Sequence, residues 1–174
     1  FLALAFCGGI MYLLQERELK EKRFGLFYTR LPSLEALDNL NSHCLAVGFP
    51  LLTLGIITGS IWAKQTWGTY WQWDPKETWA LVTVLVYSFV AHMRFIPGFR
   101  GNFAYSFASL ISYASVLMTY FGVNYYLSGL HSYAKGDPVP VPNFVYYSVV
   151  VVVVVGVMAY ISDRKYKNKP LKAE

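Results

Sequence analysis

The sequence predicts an all-α fold, a polytopic bundle of about five transmembrane helices. Hydrophobic residues make up 55% of the 174-residue chain and charged residues only 14%, whereas soluble domains carry about 25% charged residues. The polar residues collect in short clusters between long apolar runs, and a membrane-spanning helix needs about 20 mostly apolar residues. Because a backbone in lipid must satisfy its own hydrogen bonds, we expect helix even in the valine-rich run 149–155.

Five apolar segments define the expected spans. The four clearest are 45–63, 78–93, 103–123 and 144–161, and a shorter fifth covers 1–14. We therefore treat residues 1–174 as a single transmembrane domain. The chain does not begin with methionine, and we expect it to be a piece of a longer protein. Between the first two spans, Ser33 is expected to cap a short helix that lies on the membrane surface.

The distribution of basic residues predicts the orientation. Twelve of the fifteen lysines and arginines fall in the stretch 15–43, the loop after the third span and the C-terminal tail. The positive-inside bias places these segments in the cytoplasm, so the protein is expected in the inner (cytoplasmic) membrane with loops 64–77 and 124–143 outside. The net charge of +5 then reflects topology and contact with lipid headgroups, and no nucleic-acid partner is needed to explain it.

The most informative stretch is residues 67–79, here called the tryptophan segment, which holds four of the five tryptophans. A helical turn would place Trp67 and Trp71 on one face. Asp74, Pro75 and Glu77 have the spacing of an N-cap, an N1 proline and an N3 glutamate, so a helix is expected to begin there. A flat aromatic surface beside a helix N-terminus suits a large planar ligand with carboxylates at one edge. The alternative is an interfacial aromatic belt, but a belt needs no such cluster on one loop.

Three histidines are candidate ligands. His131 lies in the second outer loop, on the predicted side of the tryptophan segment. His92 lies fifteen residues after Glu77, which is about 22 Å deeper along a helix, and is either a functional intramembrane group or a residue reaching the inner interface.

The remaining candidates are weaker. His43, beside Cys44, is interpreted as an interfacial residue, and Cys7 as a small buried hydrophobe. The two cysteines lie far apart in the sequence, which excludes a disulfide scaffold and a C-x-x-C motif.

The pattern W-G-x-x-W-x-W-D-P-K-E at 67–77 resembles the tryptophan-rich (WWD) motif of haem-handling membrane proteins. Its Pro-Lys-Glu ending is similar to the CcsA (ResC-like) subunits of System II cytochrome c synthases, more than to the CcmC and CcmF proteins of System I. The stretches 48–56 and 122–133 are also similar to that family. The resemblance extends to about residue 134, and the chain looks like a C-terminal portion of such a subunit.

The resemblance implies that the ligand is haem b. His131 and His92 match the family's outer and intramembrane axial ligands to the iron. No catalytic residue is implied, because the role of the protein is positioning. Lys76 is either a partner of a haem propionate or a surface charge. The residues implied to bind haem outside these two histidines are Trp67, Gly68, Trp71, Trp73, Asp74 and Lys76.

The implied function is cytochrome c biogenesis. In this interpretation the protein moves haem outward and presents it to apocytochrome c, whose Cys-x-x-Cys-His segment forms thioether bonds, as part of a holocytochrome c synthase (haem lyase). Each iron needs two axial ligands, so an upstream region or a CcsB (ResB-like) partner subunit or fused domain would supply the others. Two alternatives stay open: a haem exporter or chaperone that serves a separate ligase, and a non-haem transporter or quinone-site subunit.

Overall fold

The computed structural model describes residues 1–22, 25, 29–99, 101–127 and 143–167, and every regular element in these ranges is helical. The predicted all-α fold is therefore confirmed. A π-helical turn, Met118–Gly122, joins the helix that ends at Leu117 to the short helix that begins at Val123. The main helices are α1 (Leu2–Glu21), α2 (Leu34–Trp67), α3 (Pro75–Met93), α4 (Phe103–Leu117), α5 (Val123–Tyr126) and α6 (Asn143–Lys167).

The bundle has the helices of a multi-pass membrane protein. Three segments among the described residues are long and apolar enough to cross a membrane by length and composition: Leu34–Trp67, Phe103–Tyr125 and Val145–Tyr166. Helices α1 and α3 hold 20 and 19 residues, so they are about 30 and 28 Å long, close to the thickness of a hydrocarbon core. They do not meet the same hydropathy criterion, and their crossing stays a prediction.

Helix α1 lies at the centre of the bundle and packs against α2, α4 and α6. Small residues allow these close crossings. A Cβ atom added at Gly48 of α2 would lie 2.8 Å from Cδ2 of Leu2, and one added at Gly9 would lie 3.3 Å from the carbonyl oxygen of Ser106 on α4. The α1 backbone therefore approaches α4 closely at Gly9, and the α2 backbone lies against the Leu2 side chain at Gly48.

The predicted surface helix after Ser33 is wrong. The Ser33 hydroxyl does accept a hydrogen bond of 3.3 Å from the N–H of Ala36, so the cap is confirmed. The helix that it begins, however, runs without a break to Trp67. Leu37 of this helix is buried in a cluster with Tyr12 and Leu13 of α1, rather than facing a membrane surface.

Ion pairs tie several helix ends together at one end of the bundle. Nη1 of Arg94, which follows α3, lies 2.9 Å from Oδ2 of Asp38 near the start of α2. Nζ of Lys20 near the end of α1 lies 2.8 Å from Oδ1 of Asp163 near the end of α6. The tryptophan segment, between the end of α2 and the start of α3, is therefore at the opposite end. This arrangement agrees with an alternating path, and which end faces the cytoplasm stays a prediction.

Candidate functional site

The tryptophan segment is a short non-helical connection between two helices. Helix α2 ends at Trp67 because Gly68 adopts a left-handed backbone (φ 82°) and its N–H donates to the carbonyl oxygen of Lys64 at 3.0 Å. Residues 68–74 are not helical, and α3 begins at Pro75. The prediction that Trp67 and Trp71 share a helical turn is therefore wrong, since a glycine at this position ends a helix readily.

The start of α3 is held by the predicted capping box. The carboxylate of Asp74, which is buried, accepts from the N–H of Lys76 at 3.2 Å. In return, Oε2 of Glu77 accepts from the N–H of Asp74 at 3.4 Å and from the N–H of Gln72 at 2.7 Å. These bonds satisfy backbone donors that the first helical turn leaves unpaired, and they fold the end of the connection onto α3.

Trp73 is the most exposed tryptophan of this connection. Its backbone lies in the left-handed region (φ 57°), which costs a residue with a Cβ about 1–2 kcal/mol. The side chain is 69% exposed, and its ring lies edge-on to that of Trp71 with centroids 5.8 Å apart. The connection therefore keeps a strained backbone that leaves one indole exposed and places a second one beneath it.

A groove of about 330 Å³ lies between α2, α3 and this connection, within the size range of small-molecule sites. We call it the aromatic groove. Its aromatic walls are Trp62, Tyr70 and Trp71, and its two charged lining residues are Lys76 and Glu77. The small residues that line it are Gly55, Gly59, Ser60 and Ala63 of α2 and Ala80 of α3.

The floor of the aromatic groove is open to a flat molecule. A Cβ atom added at Gly55 or Gly59 would meet nothing within 4 Å, so these glycines border empty space rather than a neighbouring helix. The indole Nε1 of Trp71 is buried and has no hydrogen-bond partner among the described residues. A planar ligand could therefore lie against the backbone of α2 at these glycines, whereas the Trp71 N–H group is shielded from the groove by the protein.

His92 lies far from the aromatic groove, in the last turn of α3. Its ring is exposed, and Nδ1 lies 2.6 Å from the carbonyl oxygen of Ser88. A carbonyl oxygen can only accept, so Nδ1 carries the proton and Nε2 of the neutral ring keeps a lone pair. Glu77 is fifteen residues away, about 22 Å along the helix, so a single macrocycle cannot touch both positions.

His43 has the same local geometry on α2. Its ring is exposed, and Nδ1 lies 2.7 Å from the carbonyl oxygen of Asn39. Cys44 is instead buried in the core beside Leu45, so the two side chains face different surroundings. Cys7 is exposed, and its interpretation as a buried residue is wrong. Among the residues that the structure describes, no group of three or more His, Cys, Asp or Glu side chains could hold a metal ion.

Comparison with known proteins identifies the family. The family model described as "Cytochrome C assembly protein" matches residues 1–131, which include the tryptophan segment, His92 and His131. The chain belongs to the cytochrome c assembly protein family. The predicted resemblance of the chain to CcsA subunits is confirmed, since curated relatives carrying that name match it.

The matches to three relatives show that the chain covers only about a third or less of each relative's length. It is 47% identical over 107 residues to protein NrfI of Wolinella succinogenes, covering 62% of this chain and 12% of that protein. It is 49% identical over 109 residues to the cytochrome c biogenesis protein CcsA of Synechococcus sp. strain JA-2-3B'a(2-13), covering 63% and 31%. It is 48% identical over 105 residues to CcsA of Pyropia yezoensis, covering 60% and 33%.

The structure of this assembly protein divides the predicted site residues into several groups. Trp71 and Lys76 line the aromatic groove. The Trp67 ring lies edge-on to Trp62, with centroids 5.2 Å apart. Gly68 and Asp74 cap helices. Trp73 is exposed, His92 lies at the opposite end of α3, and His131 and most of the predicted loop 124–143 lie outside the described residues.

Sequence reasoning missed two parts of the aromatic groove. Trp62 and Tyr70 form walls, and Gly55 and Gly59 form the floor. A signal was present: Gly55, Gly59 and Ala63 are spaced by four residues, and Trp62 lies three after Gly59. This spacing puts small residues and one indole on neighbouring rows of the same helix, which can expose the backbone of a membrane helix.

Proposed function

We propose that this assembly protein binds haem b in the aromatic groove and presents it to apocytochrome c for covalent attachment. The observation that carries the proposal is the groove itself, which is lined by small residues on α2 and has indole and phenol walls. Membership in the cytochrome c assembly family supports haem as the planar molecule. An interfacial aromatic belt would explain exposed tryptophans, but it does not require an open floor at Gly55 and Gly59.

The charges at the groove fit the propionates of haem. Lys76 lines the groove, and the first turn of α3 presents the positive end of its dipole at the same place. The Glu77 carboxylate is already engaged by two backbone N–H groups, so it mainly holds the loop. We propose that Lys76 receives a propionate, while Trp62, Tyr70 and Trp71 enclose the edge of the macrocycle.

Two histidines of this chain are proposed as axial ligands at separate sites. His131 is proposed as an outer ligand to haem in the aromatic groove. His92 is proposed as a ligand at an inner site, where its Nε2 lone pair is set by the bond from Nδ1 to Ser88. Each iron would take its second histidine from an upstream region or from a CcsB (ResB-like) partner subunit or fused domain.

The attachment step would use groups of the substrates. Each cysteine thiol of the Cys-x-x-Cys-His segment adds across a haem vinyl group: a C–S bond forms, the C=C double bond becomes single, and the thiol proton ends on the second vinyl carbon. The addition needs no net oxidant or reductant. The assembly protein therefore needs no nucleophile of its own, and its contribution is to hold the vinyl edge in reach, which can supply about 7–11 kcal/mol in well-oriented model reactions.

The experiment is purification of the full-length protein with its partner from a haem-replete host. We expect a Soret band typical of bis-histidine haem that weakens when His131→Ala removes the outer ligand. Incubation with reduced apocytochrome c should then yield haem that survives acid–acetone extraction from the cytochrome. Bound haem that is released but never covalently attached would favour the exporter or chaperone function, and absence of haem would contradict both.

A further inference from the structure

Two threonines from different helices meet on α3 about one turn after Ala80, the last residue of α3 that lines the aromatic groove. The hydroxyl of Thr83, on α3, lies 2.9 Å from the hydroxyl of Thr119, which follows α4. Both hydroxyls also lie within hydrogen-bond distance of one backbone oxygen, that of Trp79, at 2.8 Å from Thr83 and 3.2 Å from Thr119. We call these three groups the threonine contact.

The contact coincides with the π-helical turn. Thr119 lies inside the turn Met118–Gly122, and its hydroxyl can also reach the carbonyl oxygen of Ser115 at 2.8 Å. A π turn inserts one extra residue into a helix, and such turns are rare and frequently found at functional sites. The extra residue changes the helical register of the residues that follow the turn. The contact of Thr119 with α3 holds the turn in place and so fixes the direction in which the chain leaves α4.

Threonine hydroxyls in membrane helices commonly bond only their own helix, as Thr58 does with the carbonyl oxygen of Leu54 at 3.0 Å. Thr119 differs because, besides Ser115 of its own helix, it also reaches Thr83 and Trp79 of another helix. Thr83 is also buried, so its hydroxyl has no access to water. The contact therefore joins α3 and α4 through polar groups that lipid cannot replace.

The position of Trp79 links this contact to the aromatic groove. Glu77 and Ala80, which lie on either side of Trp79 in the sequence, both line the groove. We infer that Thr83 and Thr119 are positioning residues for haem: they hold the first turns of α3 at a fixed height against α4 and so set the groove wall that carries Lys76. This inference rests on the proposed function.

The test compares valine and serine variants of the full-length protein with its partner. Thr119→Val and Thr83→Val remove the hydroxyl and keep the shape, whereas Thr119→Ser and Thr83→Ser keep the hydroxyl. Thr58→Val is the matched control, because it removes a threonine hydroxyl that bonds only α2. The first readout is the amount of haem retained per protein after gel filtration. The second is the midpoint potential and electron paramagnetic resonance spectrum of the outer haem, which is identified as the haem that His131→Ala loses.

We expect each valine variant to retain about threefold less outer haem, the size of one interhelical hydrogen bond in a membrane, and to shift its potential. The serine variants and Thr58→Val should match the wild type. Should the valine variants fail to fold, Thr119→Ala and Thr83→Ala remove the hydroxyl without adding a methyl group in its place. If the hydroxyl-free variants retain haem and show spectra like those of the wild type, this inference alone is overturned. If the wild-type protein itself binds no haem, both the proposed function and this inference are overturned.

Discussion

The carboxylate of Glu77 accepts a hydrogen bond of 2.7 Å from the backbone N–H of Gln72. Gln72 lies in the middle of the tryptophan connection, and Glu77 lies in the first turn of α3. One side chain therefore caps a helix and also fastens the loop that carries Trp71 and Trp73. This bond therefore helps to hold the aromatic side chains of the loop in place.

Replacing Glu77 should loosen the loop. Glu77→Ala removes both backbone bonds, and we expect it to lower the free energy of unfolding by about 1 kcal/mol, the usual cost of losing a helix cap, and to lower haem retention. Glu77→Gln is the control, because its amide oxygen can still accept from Gln72. Thermal unfolding in detergent and haem content per protein are the measurements. Equal haem retention in the two variants would contradict this role.

Filling the floor of the aromatic groove should exclude haem without disturbing the fold. A Cβ atom at Gly59 meets nothing within 4 Å, so Gly59→Leu is expected to project into the groove and to fold normally. Thr58→Leu is the control, since Thr58 is the preceding exposed residue and does not line the groove. We expect outer haem content to fall in Gly59→Leu only. Full haem content in that variant would place the ligand elsewhere.

The ion pair between Arg94 and Asp38 should stabilise the bundle more than a surface pair does. The side chains are 20% and 7% exposed, and the pair joins the end of α3 to α2. Arg94→Leu leaves a buried carboxylate without its cation, which costs about 3–5 kcal/mol. Arg17→Leu, which removes a pair with Glu21 within α1 whose side chains are 28% and 27% exposed, should cost less, about 1 kcal/mol.

Thermal unfolding of both variants measures this difference. The double variant Arg94→Leu with Asp38→Leu should recover much of the stability, because it removes the unpaired charge as well. A similar cost for the Arg94 and Arg17 variants would show that the Arg94 pair is not protected from solvent.

Substitution of His92 should test the direction of haem movement. If haem passes from an inner to an outer site, His92→Ala should deplete haem at both, and added imidazole should restore the inner low-spin spectrum. His43→Ala is the matched control, because His43 also bonds a backbone carbonyl through Nδ1 and is exposed. Outer haem that is unchanged in His92→Ala would refute the inward-to-outward order.

Local sequence signals predicted the features that depend on local geometry. The start of α3 at Pro75 and its reciprocal cap follow from residues at fixed spacing, and the structure contains them. The apolar segments likewise predicted where helices lie. The helix that begins after Ser33 was mispredicted because its leucine spacing is compatible both with a helix on a membrane surface and with packing against another helix. Only the observed packing of Leu37 against α1 distinguishes these two arrangements.

The aromatic groove could be predicted only in part. Trp71 and Lys76 were recognised from a local motif, but Trp62 lies on α2, and its proximity depends on how α2 and α3 pack. The contact between Thr83 and Thr119 spans 36 residues of sequence, and no periodicity encodes it. The π turn was equally hidden, because an inserted residue leaves the apolar pattern of a membrane helix unchanged.

Helix α2 has 34 residues without a break, which makes it about 51 Å long. A hydrocarbon core is about 30 Å thick, so roughly 20 Å of this rod stands outside the acyl chains. Thinner or thicker membranes can then be accommodated by sliding or tilting the rod. The helix bundle would thus tolerate changes in lipid composition that alter bilayer thickness.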